Sequence, residues 1–165
     1  VGLSAPEIHW PPNDAYQLID VIPYTQGDLA NFLRLRSFLP DKEAIIRASR
    51  LITKTTHLDF DTAQIIYHGG NNPVVMPNKP LLVRSEGALN NVKVLWLRDS
   101  FGTAMAPLMS ATFSEVLQLS WEEAIKPEGR IVQLVEQWQP DYVFLTVVER
   151  SSRHTFFTTY PPGRF

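Results

Sequence analysis

There is no cysteine among the 165 residues of this chain, which excludes disulfides, thiolate nucleophiles and cysteine-bound metals. No apolar run reaches the roughly 18 residues that a membrane-spanning helix needs. Charge of either sign is also not in excess: fifteen Lys and Arg stand against seventeen Asp and Glu, for a net charge of -2. Without a basic field, nucleic acid is not an expected partner. Neither a P-loop nor a G-x-G-x-x-G occurs, so a nucleotide-dependent mechanism has no basis and no cofactor is expected. His57 and His68 lack a metal-ligand spacing such as H-x-x-x-H, and no metal site is expected. The opening residues Val1 to Pro6 carry neither an initiator Met nor a charged leader, so a processed chain or an excised piece is expected.

What remains is an ordinary globular composition, 44% apolar with a mean hydropathy of -0.10, and a length that fits one domain. Thirteen prolines imply many irregular connections. The spacing of Ala15, Leu18, Ile19 and Ile22 predicts a helix from Asp14 to Ile22, ended by Pro23, and a second helix follows over 29–35. Ala44 to Ile46, Leu51 to Thr56, Gln64 to Tyr67 and Pro80 to Arg84 have strand-like content. From Lys93 onward the pattern becomes β-α-β-α-β. Strand 93–98 leads to helix 101–111, strand 115–119 to helix 127–139, and 141–148 is the longest apolar strand. Such alternation implies parallel strands with right-handed crossovers, and ligands outside their carboxyl ends.

Two stretches carry groups capable of chemistry. Val94 to Leu97 is a short apolar run that stops at Arg98-Asp99-Ser100, where a helical pattern begins. A serine at that turn stands beside the N–H groups of a helix start, which can hold an oxyanion. The simpler reading is that Asp99 and Ser100 only cap the helix. The second stretch is Glu7-Ile8-His9-Trp10. In extended chain, residues two apart share a side, so Glu7 and His9 can converge while Ile8 packs behind them. Trp10 and Trp121 offer aromatic surfaces suited to sugars, whereas Trp96 and Trp138 read as core. The loop His68 to Pro73 carries Asn71 and Asn72, whose amides could line a pocket or simply turn the chain.

Glu7-x-His9-Trp10 followed by Arg98-Asp99-Ser100-Phe101-Gly102 resembles the SGNH-hydrolase-like family of alginate O-acetyltransferases, whose D-x-H-W motif precedes a (G/R)-D-S-F motif in the same order. Pro107 to Val116, Leu134 to Gln137, Pro140 to Phe144 and Val148-Glu149-Arg150 also look like the segments that follow the nucleophile in that family. The resemblance implies an α/β fold, a three-layer sandwich whose mainly parallel sheet is flanked by helices, formed by residues 1–165 as a single domain, with further sequence ahead of the first motif in relatives. It implies Ser100 as nucleophile, His9 as general base and Glu7 as orienting carboxylate, in acetyl transfer to, or acetylester hydrolysis on, a cell-envelope polysaccharide. Asp99, Arg150, Asn71, Asn72 and Trp10 would then line the substrate site. Asp99 would brace the turn, and Arg150 would either form an ion pair or touch substrate. The implied setting is the periplasm, with a membrane-bound protein as acetyl donor. Glu7 stands where the family has Asp, and Asp14 where it has Gly. An inactive carbohydrate-binding or assembly module of the same fold is the alternative.

Overall fold

In the computed structural model, residues 5–24, 41–48, 53–70, 74–126 and 130–155 are described. The chain divides into two compact units, one made of 1–10 with 52–165 and the other of 11–51.

In the smaller unit, β1 (Tyr16–Tyr24) pairs antiparallel with β2 (Asp41–Ala48), with a register shift between Leu18 and Asp20. The helix expected over Asp14 to Ile22 is therefore corrected to a short 3-10 turn, Asn13–Ala15, followed by a strand. The i, i+3, i+4 spacing that suggested it is overridden by ladder pairing with β2, and Leu18, Ile19, Val21 and Ile22 all stay substantially exposed. The helix expected over 29–35 lies outside the described residues.

The larger unit is built on one six-stranded sheet. Its strands are β3 (Lys54–Asp59), β4 (Ile65–Gly69), β5 (Leu81–Glu86), β6 (Asn90–Arg98), β7 (Phe113–Ser120) and β8 (Tyr142–Thr146), in the order β4-β3-β5-β7-β6-β8. Only β6 pairs in parallel, with β7 on one side and β8 on the other; β4-β3, β3-β5 and β5-β7 are antiparallel. The expectation of a mainly parallel, helix-flanked three-layer sandwich is thus overturned. The sheet is mixed, and strand outweighs helix among the described residues. The described helices are short: α1 (Ala106–Thr112), α2 (Trp121–Ala124) and α3 (Ile131–Trp138). The reason lies in the connections. Short turns join β3 to β4 and let neighbours run antiparallel, and only the β6-α1-β7 and β7-α2-α3-β8 crossovers force parallel pairing.

Alternation along β6 divides its side chains between two cores. Val94 and Trp96 join Val83, Phe113, Val116 and α1 residues Ala106 and Met109 in one cluster. Leu95 and Leu97 join Leu117, Leu119, Trp121, Leu134 and Trp138 in the other. A central strand buried on both faces reads as a continuous apolar run, which is why β6 was legible in the sequence. Trp96 is fully buried and donates through Nε1 to Thr146 Oγ1 at 2.8 Å, so its one polar atom is satisfied within the core. At the start of β8, Asp141 Oδ2 accepts from Lys93 N at 2.8 Å and Asp141 N donates to Lys93 O at 2.9 Å, which sets the β6-β8 register.

Candidate active site

β6 ends at Arg98, and Ser100–Thr103 form a 3-10 turn rather than the opening of a long helix. Asp99 is the N-cap, with Oδ1 accepting from Phe101 N at 3.0 Å. Its other oxygen, Oδ2, accepts from Val148 N at 2.6 Å, just beyond β8. Both carboxylate oxygens thus serve backbone N–H groups, one on the serine's own turn and one on the neighbouring strand's exit. Arg98 and Thr146 are register partners, so Ser100 and Val148 leave the sheet side by side.

Arg98 is fully buried beneath this turn. Nε donates to Gln118 Oε1 at 2.9 Å, one Nη to Val74 O at 2.6 Å, and the other to Asp99 O at 3.1 Å and Thr103 Oγ1 at 3.4 Å. The guanidinium carbon lies 4.9 Å from the Trp96 ring centroid. Burial brings the arginine's pKa down to about 10, against the opposite pull of Asp99, so it keeps its charge at neutral pH. One cation solvated mostly by neutral dipoles therefore joins β7, the segment at Val74 and the serine's turn. Gly102 completes the fit: a Cβ there would come within 2.6 Å of Arg98 Cδ and 3.0 Å of Trp96 Cζ2.

Above this floor lies a cavity of about 230 Å³, lined by Ser100 and Phe101 from the turn, Ser120, Trp121 and Glu122 from the end of β7 and the start of α2, and Val148 and Ser151 from the exit of β8, with Asp99 and Met76. All these groups stand at the carboxyl edge of the parallel strands, where the alternation argument locates ligand sites. Ser100 is exposed and Trp121 is almost wholly buried, so the cavity has a hydroxyl on an open rim and an aromatic wall.

Glu7 and His9 are elsewhere. His9 N donates to Asn90 Oδ1 at 2.7 Å, and Asn90 Nδ2 donates to His9 O at 2.9 Å and to Thr112 O at 2.9 Å. Ile8 packs against the cluster that holds Val94 and Trp96, as the alternation argument expects, and the Tyr142 hydroxyl donates to Pro6 O. The segment is therefore fixed at the start of β6, while Ser100 follows its end. Eight residue steps of strand separate those points by roughly 25 Å, far beyond the reach of an imidazole. Glu7, His9 and Trp10 are all exposed there.

Asn71 and Asn72 lie outside the described residues. Arg150 belongs to the 3-10 turn Glu149–Ser151 that follows β8, at the same edge as Ser100. His57 is buried against Tyr67 at 4.9 Å, and burial lowers its pKa; His68 Nδ1 lies 2.8 Å from Thr56 Oγ1 across the strands. Among the described residues, no group of three or more His, Asp or Glu side chains could hold a metal ion. Sequence reasoning passed over Ser120, Ser151 and His154. The Trp121 and His154 rings meet edge to face at 5.3 Å, and His154 N donates to Ser151 O at 3.0 Å. The available signal was positional: His154 follows the last parallel strand by a few residues, on the edge where Ser100 emerges.

No family model matches the chain, and no curated protein does, so the alginate O-acetyltransferase resemblance has no support from either. Among solved structures the chain is similar to a DHHW family protein from Eubacterium siraeum, at 16% identity and a TM-score of 0.60, covering 86% of this chain and 50% of that one. It also aligns with Bacillus cereus PatB1 at 14% identity, in a structure with a sulfonyl adduct (TM-score 0.49, 68% of this chain, 42% of that one) and in another without that description (TM-score 0.46, 69% and 45%). The first likeness shows the fold, a sheet architecture shared with the Eubacterium siraeum protein. The chain spans about half the length of the structures it matches.

Proposed function

We propose that the chain carries a serine-dependent acyl-transfer site, with Ser100 as nucleophile, acting on acetyl groups of a cell-envelope polysaccharide. The observation that supports this most is the Ser100 cavity, an exposed serine on a capped turn at the carboxyl edge of parallel strands with a buried cation below it. In this reading the Ser100 hydroxyl attacks the carbonyl of an acetyl ester, and an acetyl-enzyme forms. A sugar hydroxyl or water then takes the acetyl group, and the site serves as a transferase or an esterase accordingly. Phe101 N and Gly102 N are committed to Asp99, so the Ser100 N–H is the oxyanion donor assigned. A periplasmic setting and a membrane-bound acetyl donor belong to the same proposal and rest on the resemblance of the two motifs. The triad of Glu7, His9 and Ser100 would additionally require residues 5–10 to leave Asn90.

A second reading, a carbohydrate-binding module without turnover, is favoured by one observation, the distance between His9 and Ser100. Intact-mass analysis after incubation with an activated acetyl ester separates the two. The catalytic reading expects one acetyl gained, or donor hydrolysed, with the rate lost by about a thousand-fold or more in Ser100→Ala. Equal turnover by Ser100→Ala would sink it. Binding of acetylated polysaccharide with no adduct would establish the second reading.

A further inference from the structure

A nucleophilic serine needs a base, and the three histidines ahead of β8 do not reach it. His9 is held by its backbone at the far end of β6, His57 is buried on β3 against Tyr67, and His68 lies beside Thr56 on the edge strand β4, with three strands between it and β6. The fourth, His154, is packed by the fold against a residue of the cavity wall, Trp121. Arg98 and Thr146 are paired across β6 and β8, and Asp99 Oδ2 clamps Val148 N, so the exit of β8 is fixed against the serine's turn. From there the chain makes the turn Glu149–Ser151 and doubles back, with Ser152 N donating to Glu149 O at 3.0 Å and His154 N to Ser151 O at 3.0 Å. That return carries the His154 ring onto Trp121, 5.3 Å between centroids. Trp121, Ser151 and Ser100 line one cavity. The His154 side chain is exposed, and the carboxylates on this side of the sheet include Asp99 and Glu122 of the cavity lining and Glu149 on the same return.

We propose that His154, resting on Trp121 at the rim of the Ser100 cavity, is the general base of this site. The inference rests on the reading of Ser100 as nucleophile. As the Ser100 oxygen bonds to the ester carbonyl carbon, the His154 imidazole takes its proton, giving an imidazolium and a tetrahedral oxyanion. The imidazolium then returns that proton to the departing alkoxide as the ester C–O bond breaks. The second half-reaction repeats the exchange, with water or a sugar hydroxyl in place of Ser100. Trp121 is a positioning residue here, holding the imidazole edge to face against the cavity wall.

The test measures the rate of Ser100 labelling by a fluorophosphonate, and of acetylester turnover, in wild type, Ser100→Ala, His154→Ala, His154→Gln and His9→Gln. Circular dichroism and tryptophan emission show whether each is folded. Expected are a loss of about 10²- to 10⁴-fold in both His154 variants, His9→Gln within twofold of wild type, and partial recovery of His154→Ala, but not Ser100→Ala, on adding free imidazole. That recovery is a signature that loss of packing would not give. Labelling of folded His154→Gln at the wild-type rate overturns the assignment while leaving Ser100 as nucleophile, and so does a large loss in His9→Gln with His154→Gln unaffected. Wild type that takes no label, or Ser100→Ala that labels equally, overturns the nucleophile reading and His154 with it.

Discussion

The two ends of β6 are built differently. At its start, one amide side chain, Asn90, does the holding, with three hydrogen bonds to the backbones of His9 and Thr112. At its end, a buried cation and a capping carboxylate hold the turn, and their bonds reach four separate segments: Val74, Gln118, the 99–103 turn and Val148. The first construction fastens a stretch of chain to the sheet. The second also encloses a cavity. Composition alone does not show that difference, since each end looks like a polar interruption of an apolar run. What separates them is direction, because parallel strands deliver their exits, and the loops that follow, to a single edge.

The largest effect that would break the comparison is expected from Arg98→Met. It removes the charge but leaves Gln118 Oε1 and the Val74 carbonyl without their donor in a dry interior. We expect a loss of about 2–4 kcal/mol in urea unfolding. A change below 1 kcal/mol would show that the carboxyl end is held by packing instead. Asn90→Ala comes next, at about 2–3 kcal/mol from three lost hydrogen bonds of a buried side chain. It should free residues 5–10, seen as faster amide exchange at His9, with Ser100 labelling unchanged. Slower labelling in this variant would mean that the two ends are coupled. Asp99→Ala should be the mildest, about 1–2 kcal/mol, because the turn and the exit of β8 lie near solvent and water can replace the carboxylate in part. Amide exchange at Phe101 and Val148 should quicken together, and quickening at only one of them would refute the two-handed role.

The part of the fold that was legible is the part where one element dictates its own surroundings. β6 and β7 announced themselves through apolar runs buried on two faces, and the parallel pairing of β6 with β7 and β8 followed from the helical stretches between them. The strand expected over 141–148 is corrected to the shorter β8, Tyr142–Thr146, whose Val143 and Leu145 stay exposed. Ser100 at the carboxyl edge followed in turn. The stretch from Tyr16 was misread because Leu18, Ile19 and Ile22 satisfy helical spacing, and periodicity says nothing about a distant strand able to pair with it. The mixed character of the sheet was hidden for a similar reason. β5 looks the same whether its neighbour β7 runs with it or against it. Glu7 and His9 share a side as alternation requires, yet which end of the sheet they occupy is decided by Asn90, more than eighty residues away. Sequence motifs state which groups are present, and long-range hydrogen bonds decide which of them meet.

Gly102 has a consequence for how this region can vary. The space that its missing Cβ would fill is the space through which the arginine's methylene stem passes on its way to Gln118 and Val74. The two positions are therefore a single volume shared between one long residue and one with no side chain at all. A methyl group at 102 would have to be accommodated by a shorter residue at 98, and a shorter residue at 98 would leave a hole that a glycine cannot fill. Substitution at either position thus changes what the other can accept, and a route between variants that alters them one at a time passes through a worse-packed intermediate whichever change comes first.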